Sequence, residues 1–320
     1  MVEKKKTLQD RYVIAHPDDR ELYQLGESDE FFYVLLKRWS DSELGFGRCG
    51  AVVESVRFKK AGTIMYGRVA VKYSHGVDRD GFLLSNERQV LKKVQEKGAH
   101  PNIVQMLDWI KKIVVDDTET QPALVLEYID GWTLDEVCRR WPLSLWVLMD
   151  VIVLRWLIQL GNGLKHLHDN NITHGDMKLH NVMISFDGLR VIIIDFGFST
   201  KSEKGHNPDS DMKQLGRMIC QLLAYRSRDA AKEFIQDSSL SACKRIVARH
   251  GGDFFGYKTK LDGLFDGSMN ADGFIACMKG CKHIILERQR RSIPEEHRLR
   301  NAIMKDSKLS LKRIYRGANL

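Results

Sequence analysis

Apolar residues in the first 130 positions occur in short runs with the spacing of β-strands. These runs are Tyr33–Leu36, Ala51–Val56, Tyr66–Lys72, Ile103–Leu107 and Ala123–Tyr128. Between Asn86 and Lys97 the spacing changes, because Val90, Leu91 and Val94 fall on one face of a helix with charged residues opposite. The pattern therefore predicts a β-rich segment that contains one amphipathic helix.

Beyond Gly131 the pattern becomes that of helices. Leu145–His168 is apolar nearly all round, as a buried helix should be, and residues 212–223 keep a 3.6-residue period. Two short strand-like runs flank Asp187-Gly188, and Val191–Ile194 is the stronger of them. A strand-rich part joined to a helix-rich part predicts an α+β protein of two lobes, with a ligand cleft between the lobes.

Composition narrows the class of protein. The 320 residues are 43% hydrophobic and 29% charged, which is enough to bury a sizeable core, and no repeat or low-complexity tract is present. The longest apolar stretch, Leu143–Leu160, is interrupted by Asp150 and Arg155, so no membrane span is predicted. Six scattered cysteines do not form a disulfide framework, and we expect a reducing compartment, the cytoplasm or the nucleus.

Positive charge is concentrated at the C-terminal end. The net charge is +8, and residues 279–320 contain 12 Lys and Arg against 4 Asp and Glu, so the remaining residues sum to zero. A basic segment of this kind can bind an acidic protein or a nucleic acid, and it can also be a solvated helix with a positive face. Charge alone does not choose between these interpretations.

Three glycines form the first motif with chemical content. Gly45, Gly47 and Gly50 follow one another in a pattern that lets backbone N–H groups approach phosphate oxygens. A dinucleotide site would need a helix after these glycines, but a strand is predicted there. The strand that comes after it ends in Lys72, and Glu87 on the amphipathic helix can serve as its partner.

The most informative segment runs from His174 to Ile184. Asp176, Lys178 and Asn181 offer a carboxylate that can accept a proton, an ammonium that can neutralise a phosphoryl group, and an amide oxygen that can bind a hard cation. Asp195 follows a buried strand, where an uncompensated charge would be costly, so a divalent cation is its natural partner.

Taken together, these motifs resemble the eukaryotic-type protein kinase superfamily. The glycine-rich loop, strand lysine, helix glutamate, catalytic loop and Asp-Phe-Gly occur in family order over about Leu44 to Gly216. The resemblance implies a two-lobed kinase fold with a small β-rich N-lobe, a larger helical C-lobe and an ATP cleft between them. The segments that it implies are an N-terminal extension (1–30), an N-lobe (31–129), a C-lobe (130–285) and a basic tail (286–320).

The resemblance also implies roles for individual residues. Asp176 would orient the acceptor hydroxyl and take its proton, Lys178 would steady the γ-phosphate, and Asn181 and Asp195 would hold Mg²⁺. Lys72 would pair with the ATP phosphates and with Glu87. The remaining nucleotide-binding positions are Leu44, Gly45, Gly47, Gly50, Val52, Ala70, Glu127, Ile129 and Met183. Asp211 matches the aspartate that begins the central C-lobe helix and holds the catalytic loop, and it is also a candidate N-cap.

Two departures from the family pattern bear on function. Gly175 stands where many kinases have an arginine that engages a phosphorylated activation loop, so we expect activity not to be switched in that way. Only 15 residues separate Asp195 from Asp211, without the Ala-Pro-Glu motif. The missing part forms the platform for a peptide substrate in the family, so peptide recognition must come from elsewhere, and the basic tail and the N-terminal extension are the candidates.

Three functions follow from the motifs. The first is an ATP-dependent protein kinase, and Lys178 favours serine or threonine of a protein substrate as the acceptor. His174-Gly175-Asp176 also resembles the catalytic loop of aminoglycoside and choline kinases, although these small-molecule enzymes generally lack the glycine-rich motif and a lysine at the position of Lys178. The third is a nucleotide-binding scaffold with little turnover, which is disfavoured because no catalytic position is substituted.

Overall fold

The computed structural model describes residues 23–35, 43–47, 50–60, 64–74, 78–111, 113–115, 118–119, 122–140, 150–201, 205–255 and 261–291. The described residues divide into two compact units. The first unit lies within Met1–Glu96 and Val104–Ile129, and the second lies within Lys97–Ile103 and Asp130–Leu320. Most of the basic tail, residues 292–320, and residues 1–22 of the expected extension are outside the described residues.

The first unit is β-rich. Its described strands are β1 (Tyr23–Glu27), β2 (Phe31–Leu35), β3 (Glu43–Gly47), β4 (Gly50–Lys59), β5 (Ile64–Tyr73), β6 (Met106–Ile110), β7 (Val114–Val115), β8 (Thr118–Glu119) and β9 (Ala123–Glu127). Its described helix is α1 (Asp78–Glu96). The strands of the main sheet pair antiparallel in the order β1-β2-β4-β5-β9-β6, with β3 also paired to β4, while β7 and β8 pair with each other.

One face of this sheet forms an apolar core. Tyr33 on β2, Val53 on β4, Val71 on β5 and Val125 on β9 are fully buried, and they belong to one cluster. Alternate residues of a strand point to the same face, so the predicted strand runs place their apolar side chains together. The predicted strands at Tyr33, Ala51, Tyr66 and Ala123 are therefore confirmed.

Strand β1 lies inside the segment that we expected to be a loosely attached extension. It pairs antiparallel with β2, and Leu25 is buried in the apolar core. The expectation is therefore wrong for this part of the extension. The sequence pattern did not identify β1, because the strand has only five residues and its place in the sheet depends on pairing with β2.

The second unit consists mostly of helices around a small sheet. Its described strands are β10 (Gly131–Thr133), β11 (Val182–Ser185) and β12 (Val191–Ile193). Its described helices are α2 (Leu134–Arg140), α3 (Asp150–Asp169), α4 (Pro208–Arg226), α5 (Arg228–Gln236), α6 (Leu240–Phe255), α7 (Gly263–Asp266) and α8 (Ala271–Arg291), together with a 3₁₀ turn at Leu179–Asn181. These assignments confirm the predicted change from strands to helices and the α+β class.

Glycines allow α3 to lie close to its neighbours. A Cβ atom on Gly161 would lie 2.8 Å from the Ile275 side chain of α8, and one on Gly163 would lie 2.8 Å from the Ile193 side chain of β12. Helix α3 therefore packs closely against α8 and β12. Helix α8 continues to Arg291, so the expected start of the basic tail at residue 286 falls inside a helix. No described helix has a stretch that is both long and apolar enough to cross a membrane.

The strand predicted at Ile103–Leu107 is correct only in part. Strand β6 begins at Met106, whereas Ile103 forms a single bridge to Ile193. Asn102, which precedes it, donates through its side-chain amide to the carbonyl of Val191 at 2.8 Å. Asn102 and Ile103 therefore pair with β12 and do not belong to the sheet of the first unit, because the Asn102 side chain is bonded to β12.

Candidate active site

Lys72 and Glu87 form a buried ion pair in the first unit. The Lys72 ammonium lies 2.6 Å from Oε2 of Glu87, and the two side chains are 7% and 1% exposed. Strand β5 carries Lys72, and Glu87 shares a face of α1 with the buried residues Leu84, Val90 and Leu91. The apolar face of the helix therefore directs Glu87 to the lysine, and the predicted pairing of these two residues is confirmed.

The glycine-rich motif lies in the hairpin of β3 and β4. Gly45 is opposite Val52, and Gly47 is opposite Gly50. Gly50 has a φ of +118°, and a Cβ atom there would lie 1.9 Å from the carbonyl oxygen of Tyr73, so only glycine fits. Leu44 is 47% exposed on the same hairpin. Strand β4 after the glycines agrees with the exclusion of a dinucleotide-binding helix.

The expected adenine-binding residues lie on both units. Ala70 on β5 pairs with Leu126 on β9, and both residues are buried. At the end of β9, Glu127 donates its N–H to the carbonyl of Gln105 at 2.9 Å and accepts the N–H of Gln105 at its carboxylate at 3.1 Å. These two hydrogen bonds hold the start of the segment that ends at Ile129 against Gln105.

Met183 is the expected adenine neighbour on the second unit. It lies on β11, where it pairs with Ile192 of β12 and with Thr133 of β10, and it is half-buried. Its place in a three-stranded sheet fixes its backbone.

Asp176, Lys178 and Asn181 come together in the second unit. The Lys178 ammonium lies 2.6 Å from Oδ2 of Asp176, and the amide of Asn181 donates to the same oxygen at 3.0 Å. The same amide donates to the backbone carbonyl of Asp176 at 2.8 Å. Asn181 is 4% exposed, whereas the Asp176 side chain is 29% exposed. One buried amide therefore orients a carboxylate that stays accessible to a substrate.

His174 connects this loop to the segment around Asp195. Its Nδ1 accepts the N–H of Asp176 at 3.3 Å, so its Nε2 carries the proton that is donated to the carbonyl of Ile194 at 3.1 Å. The ring is fully buried and packs edge-on against Phe196. These contacts give His174 a structural role, and they leave Asp176 as the group that can take a proton.

Asp211, on α4, holds the backbone of the loop that carries Asp176. Its carboxylate is fully buried and accepts the N–H of His174 at 2.9 Å and the N–H of Gly175 at 2.8 Å. Nε2 of His168 lies 2.9 Å from the same carboxylate. The predicted role in holding the catalytic loop is confirmed. The N-cap interpretation is wrong, because Asn207 caps α4 by accepting the N–H of Ser210.

Gln214, one turn further along α4, is a site residue that the sequence did not reveal. Its side-chain oxygen accepts the N–H of Met177 at 2.6 Å, and its side-chain nitrogen donates to the carbonyl of Gly175 at 3.0 Å. The two contacts lie on either side of Asp176. Its position three residues after Asp211 was the available signal, since residues three apart share a helix face.

Gly175 is fixed by its backbone conformation. Its φ is +80°, and a Cβ atom there would lie 2.7 Å from the carbonyl oxygen of Phe198. Beside this contact, Thr173 and Thr200 exchange two backbone hydrogen bonds of 2.9 and 3.0 Å, and the buried Ser199 hydroxyl donates to the carbonyl of His174. The short segment after Asp195 thus packs directly on the loop and leaves no space for an arginine at position 175.

Asn181 and Asp195 carry oxygen groups of the kind that bind a magnesium ion. The N–H of Ile194 donates to the backbone carbonyl of Asn181 at 3.0 Å. Asp195 is the next residue, so its backbone starts beside Asn181. Because the amide nitrogen of Asn181 faces Asp176, its amide oxygen is turned away from that carboxylate. An amide oxygen and a carboxylate are hard oxygen ligands of the kind that Mg²⁺ prefers. Asp195 has a φ of +65°, which is rare outside glycine and common at functional sites.

Comparisons with known proteins agree with this arrangement. A family model described as "Protein kinase domain" matches residues 39–229, more than half of the chain. The chain is 30% identical to death-associated protein kinase dapk-1 of Caenorhabditis elegans over 52% of this chain and 11% of that protein. It is 29% identical to serine/threonine-protein kinase crk1 of Schizosaccharomyces pombe over 43% of this chain and 39% of that protein. For human serine/threonine-protein kinase Nek5, the identity is 32% over 35% of this chain and 15% of that protein. The matched regions thus span well under half of each relative.

Proposed function

Because the chain belongs to the protein kinase family, we propose that it transfers the γ-phosphoryl group of ATP to a serine or threonine of a protein. The observation that carries the proposal is the accessible Asp176 carboxylate, held by Asn181 and paired with Lys178. The similarity to crk1 and Nek5, both named serine/threonine-protein kinases, supports this class of acceptor.

In this proposal, the residues of the second unit perform the proton transfer. Asp176 accepts a hydrogen bond from the acceptor hydroxyl, orients it and takes its proton as the new bond to phosphorus forms. Lys178 brings a positive charge to the transferred group, where negative charge is concentrated in the transition state. Asn181 keeps the carboxylate in one orientation, which lowers the cost of reaching the reactive geometry.

Binding of the nucleotide falls to the other motifs. The backbone of the glycine-rich hairpin and the ammonium of Lys72 contact the phosphates, with Glu87 keeping Lys72 in place. Asn181 and Asp195 would hold Mg²⁺, which would supply charge neutralisation for the triphosphate when bound. Ala70, Leu44, Val52 and Met183 offer apolar surface to the adenine, and the backbones of Glu127 and Ile129 offer hydrogen bonds.

The test compares the wild-type chain with the Asp176→Asn variant. Both are incubated with labelled ATP, Mg²⁺ and a mixed lysate, and ATP binding is followed by thermal shift. Since a general base contributes about 10²- to 10⁴-fold, we expect label in proteins to fall by that factor while ATP binding persists. Asp169→Asn is a matched control, because the Asp169 side chain is 59% exposed and pairs only with Lys165 among the described residues.

The other two functions are distinct outcomes of the same test. Label that accumulates only in small molecules, and depends on Asp176, would identify a small-molecule phosphotransferase. An ATP-induced thermal shift without any transfer would identify a nucleotide-binding scaffold. Transfer that is unchanged in Asp176→Asn would reject the assignment of the base.

A further inference from the structure

A buried carboxylate beside the catalytic loop contacts two exposed side chains. Asp135, in the first turn of α2, forms an ion pair with Arg139 on the next turn, and Nε2 of His180 lies 3.2 Å from Oδ2 of Asp135. The hydroxyl of Tyr225 donates to the other carboxylate oxygen at 3.4 Å. Burial, together with the nearby Asp135 carboxylate, raises the pKa of Tyr225, which keeps this tyrosine in its neutral, donating form. The carboxylate is therefore positioned from three elements.

The start of α2 is itself fixed. The N–H of Thr133 donates to the Glu136 carboxylate at 2.9 Å, and the Thr133 hydroxyl accepts the N–H of Glu136 at 3.2 Å. This reciprocal pair is a capping box, which holds the first turn of a helix in place. Asp135 lies inside that turn, so the capping box also holds its backbone in place.

The Asp135 carboxylate is buried, whereas the side chains that contact it from Arg139 and His180 are exposed. The Asp135 side chain is 8% exposed, whereas Arg139 is 59% exposed and His180 is 61% exposed. The Asp135 carboxylate neutralises one positive charge, that of Arg139. Arg140 adds a second exposed guanidinium, which lies over the Trp132 ring at 4.7 Å. We call Arg139, Arg140 and His180 the cationic surface, in which the two arginines carry the charge.

This cationic surface adjoins the reacting groups. His180 directly precedes Asn181, whose amide contacts Asp176, and it follows Lys178 by two residues. The 3₁₀ turn Leu179–Asn181 that carries His180 packs on α2, which carries both arginines. A polypeptide that presents its hydroxyl to Asp176 can therefore extend onto the cationic surface.

From these contacts, we propose that the cationic surface binds acidic side chains of the protein substrate next to the phosphorylated serine or threonine. The inference rests on the proposed function and names the class of substrate. It also answers a question that the sequence raised, because the peptide platform of the family is missing and recognition must have another source. Exposed arginines bind carboxylates by paired hydrogen bonds, and the Asp135 carboxylate holds one of them ready for this contact.

The experiment uses the full chain and three synthetic peptides. Each peptide has one serine, flanked by Asp and Glu, by Asn and Gln, or by Lys and Arg. Binding is measured by fluorescence anisotropy, and phosphorylation is measured as kcat/KM. We expect the order acidic, neutral, basic in both measurements, with the preference shrinking as NaCl is raised.

Variants then assign the preference to the cationic surface. Arg139→Gln and Arg140→Gln should each weaken binding of the acidic peptide by about fivefold or less, as for exposed charge pairs, while the neutral peptide is unaffected. The double variant should lose the preference. Arg155→Gln, at an exposed arginine of α3, is the matched control. Arg140→Gln should keep the wild-type melting temperature. Arg139→Gln removes a partner of the buried Asp135 carboxylate, so its peptide binding is measured at a temperature at which thermal unfolding shows it to be folded.

Separate outcomes address the two proposals. Equal binding of acidic and neutral peptides, or equal loss of both in the variants, would overturn the acidic-substrate inference whether or not phosphate is transferred. A single-stranded oligonucleotide that binds more tightly than the acidic peptide, and is released by the same substitutions, would also overturn it. Selective binding without transfer to any peptide would retain the cationic surface and count against the proposed kinase activity.

Discussion

The side chain of Gln214 donates to the carbonyl oxygen of Gly175 at 3.0 Å, immediately before the candidate base Asp176. The same side chain accepts the N–H of Met177, immediately after that base, at 2.6 Å. A single amide on α4 therefore holds the backbone on both sides of the reacting carboxylate. Asp211 holds the preceding residues from the same helix, so the loop is fixed by two side chains one turn apart.

We predict that Gln214→Ala lowers kcat by about 10- to 100-fold, because a small displacement of a catalytic group has an effect of this size. Gln214→Glu should behave similarly, since a carboxylate cannot donate to the Gly175 carbonyl. The KM for ATP should change little in either variant, and the loss of the two backbone contacts should cost about 1–3 kcal/mol of unfolding free energy. Steady-state kinetics on folded protein and thermal unfolding check this, with Gln221→Ala on the same helix as control. A kcat at the wild-type level in folded Gln214→Ala would contradict the positioning role.

Gly175→Ala should destabilise the protein more than Gly98→Ala. Both glycines have a positive φ, +80° and +107°, so each alanine carries backbone strain of about 1–3 kcal/mol. At Gly98 no atom lies within 4 Å of the added Cβ, whereas at Gly175 the Phe198 carbonyl oxygen lies at 2.7 Å. The collision should add about 1–3 kcal/mol, measured by urea unfolding. Equal losses would mean that the segment around Phe198 moves away without cost.

Sequence and structure agree best where the chemistry lies in contiguous motifs. Lys72, Asp176, Asn181 and Asp195 could be identified because each motif has local chemical content and the motifs follow in a fixed order. Glu87 could be assigned as the partner of Lys72 because helical periodicity places it with the apolar face of α1.

Contacts made at long range escaped prediction. The contact of Gln214 joins residues that are 37 apart, and no local rule favours a glutamine there. Asp211 could be matched by its position, but its role as N-cap was wrongly inferred because several polar residues precede α4. The β1 strand was missed because it has only five residues and its place in the sheet depends on pairing with β2. Such contacts follow from packing, which a single sequence does not display.

A half-buried histidine pair should make stability depend on pH. Burial lowers the pKa of His100 below 6.5, and the stacked ring of His166 lowers it further. The N–H of Asn102 also donates to Nδ1 of His100, which requires that nitrogen to be unprotonated. The unfolded chain therefore binds this proton more readily than the fold does, so the free energy of unfolding should fall as pH decreases below about 6.5.

Replacing His100 by Phe should flatten this pH dependence while keeping a ring against His166. Urea unfolding at pH 7.5, 6.5 and 5.5 measures the slope in the wild type and the variant. His283→Gln, at an exposed histidine of α8, is the control and should leave the wild-type slope. A slope that is identical in the wild type and in His100→Phe would show that the pair does not contribute.

The Lys72 and Glu87 pair allows stability to be separated from nucleotide binding. Lys72→Met leaves the Glu87 carboxylate buried without its partner, and Glu87→Met does the reverse, so each should cost about 3–5 kcal/mol of unfolding free energy. The double variant removes both charges, and its stability should lie closer to the wild type than that of either single variant. ATP affinity should nevertheless stay reduced in the double variant, because the ammonium that contacts the phosphates is gone. Urea unfolding and ATP titration of all four proteins measure the two effects, and additive losses of stability would contradict a coupled buried pair.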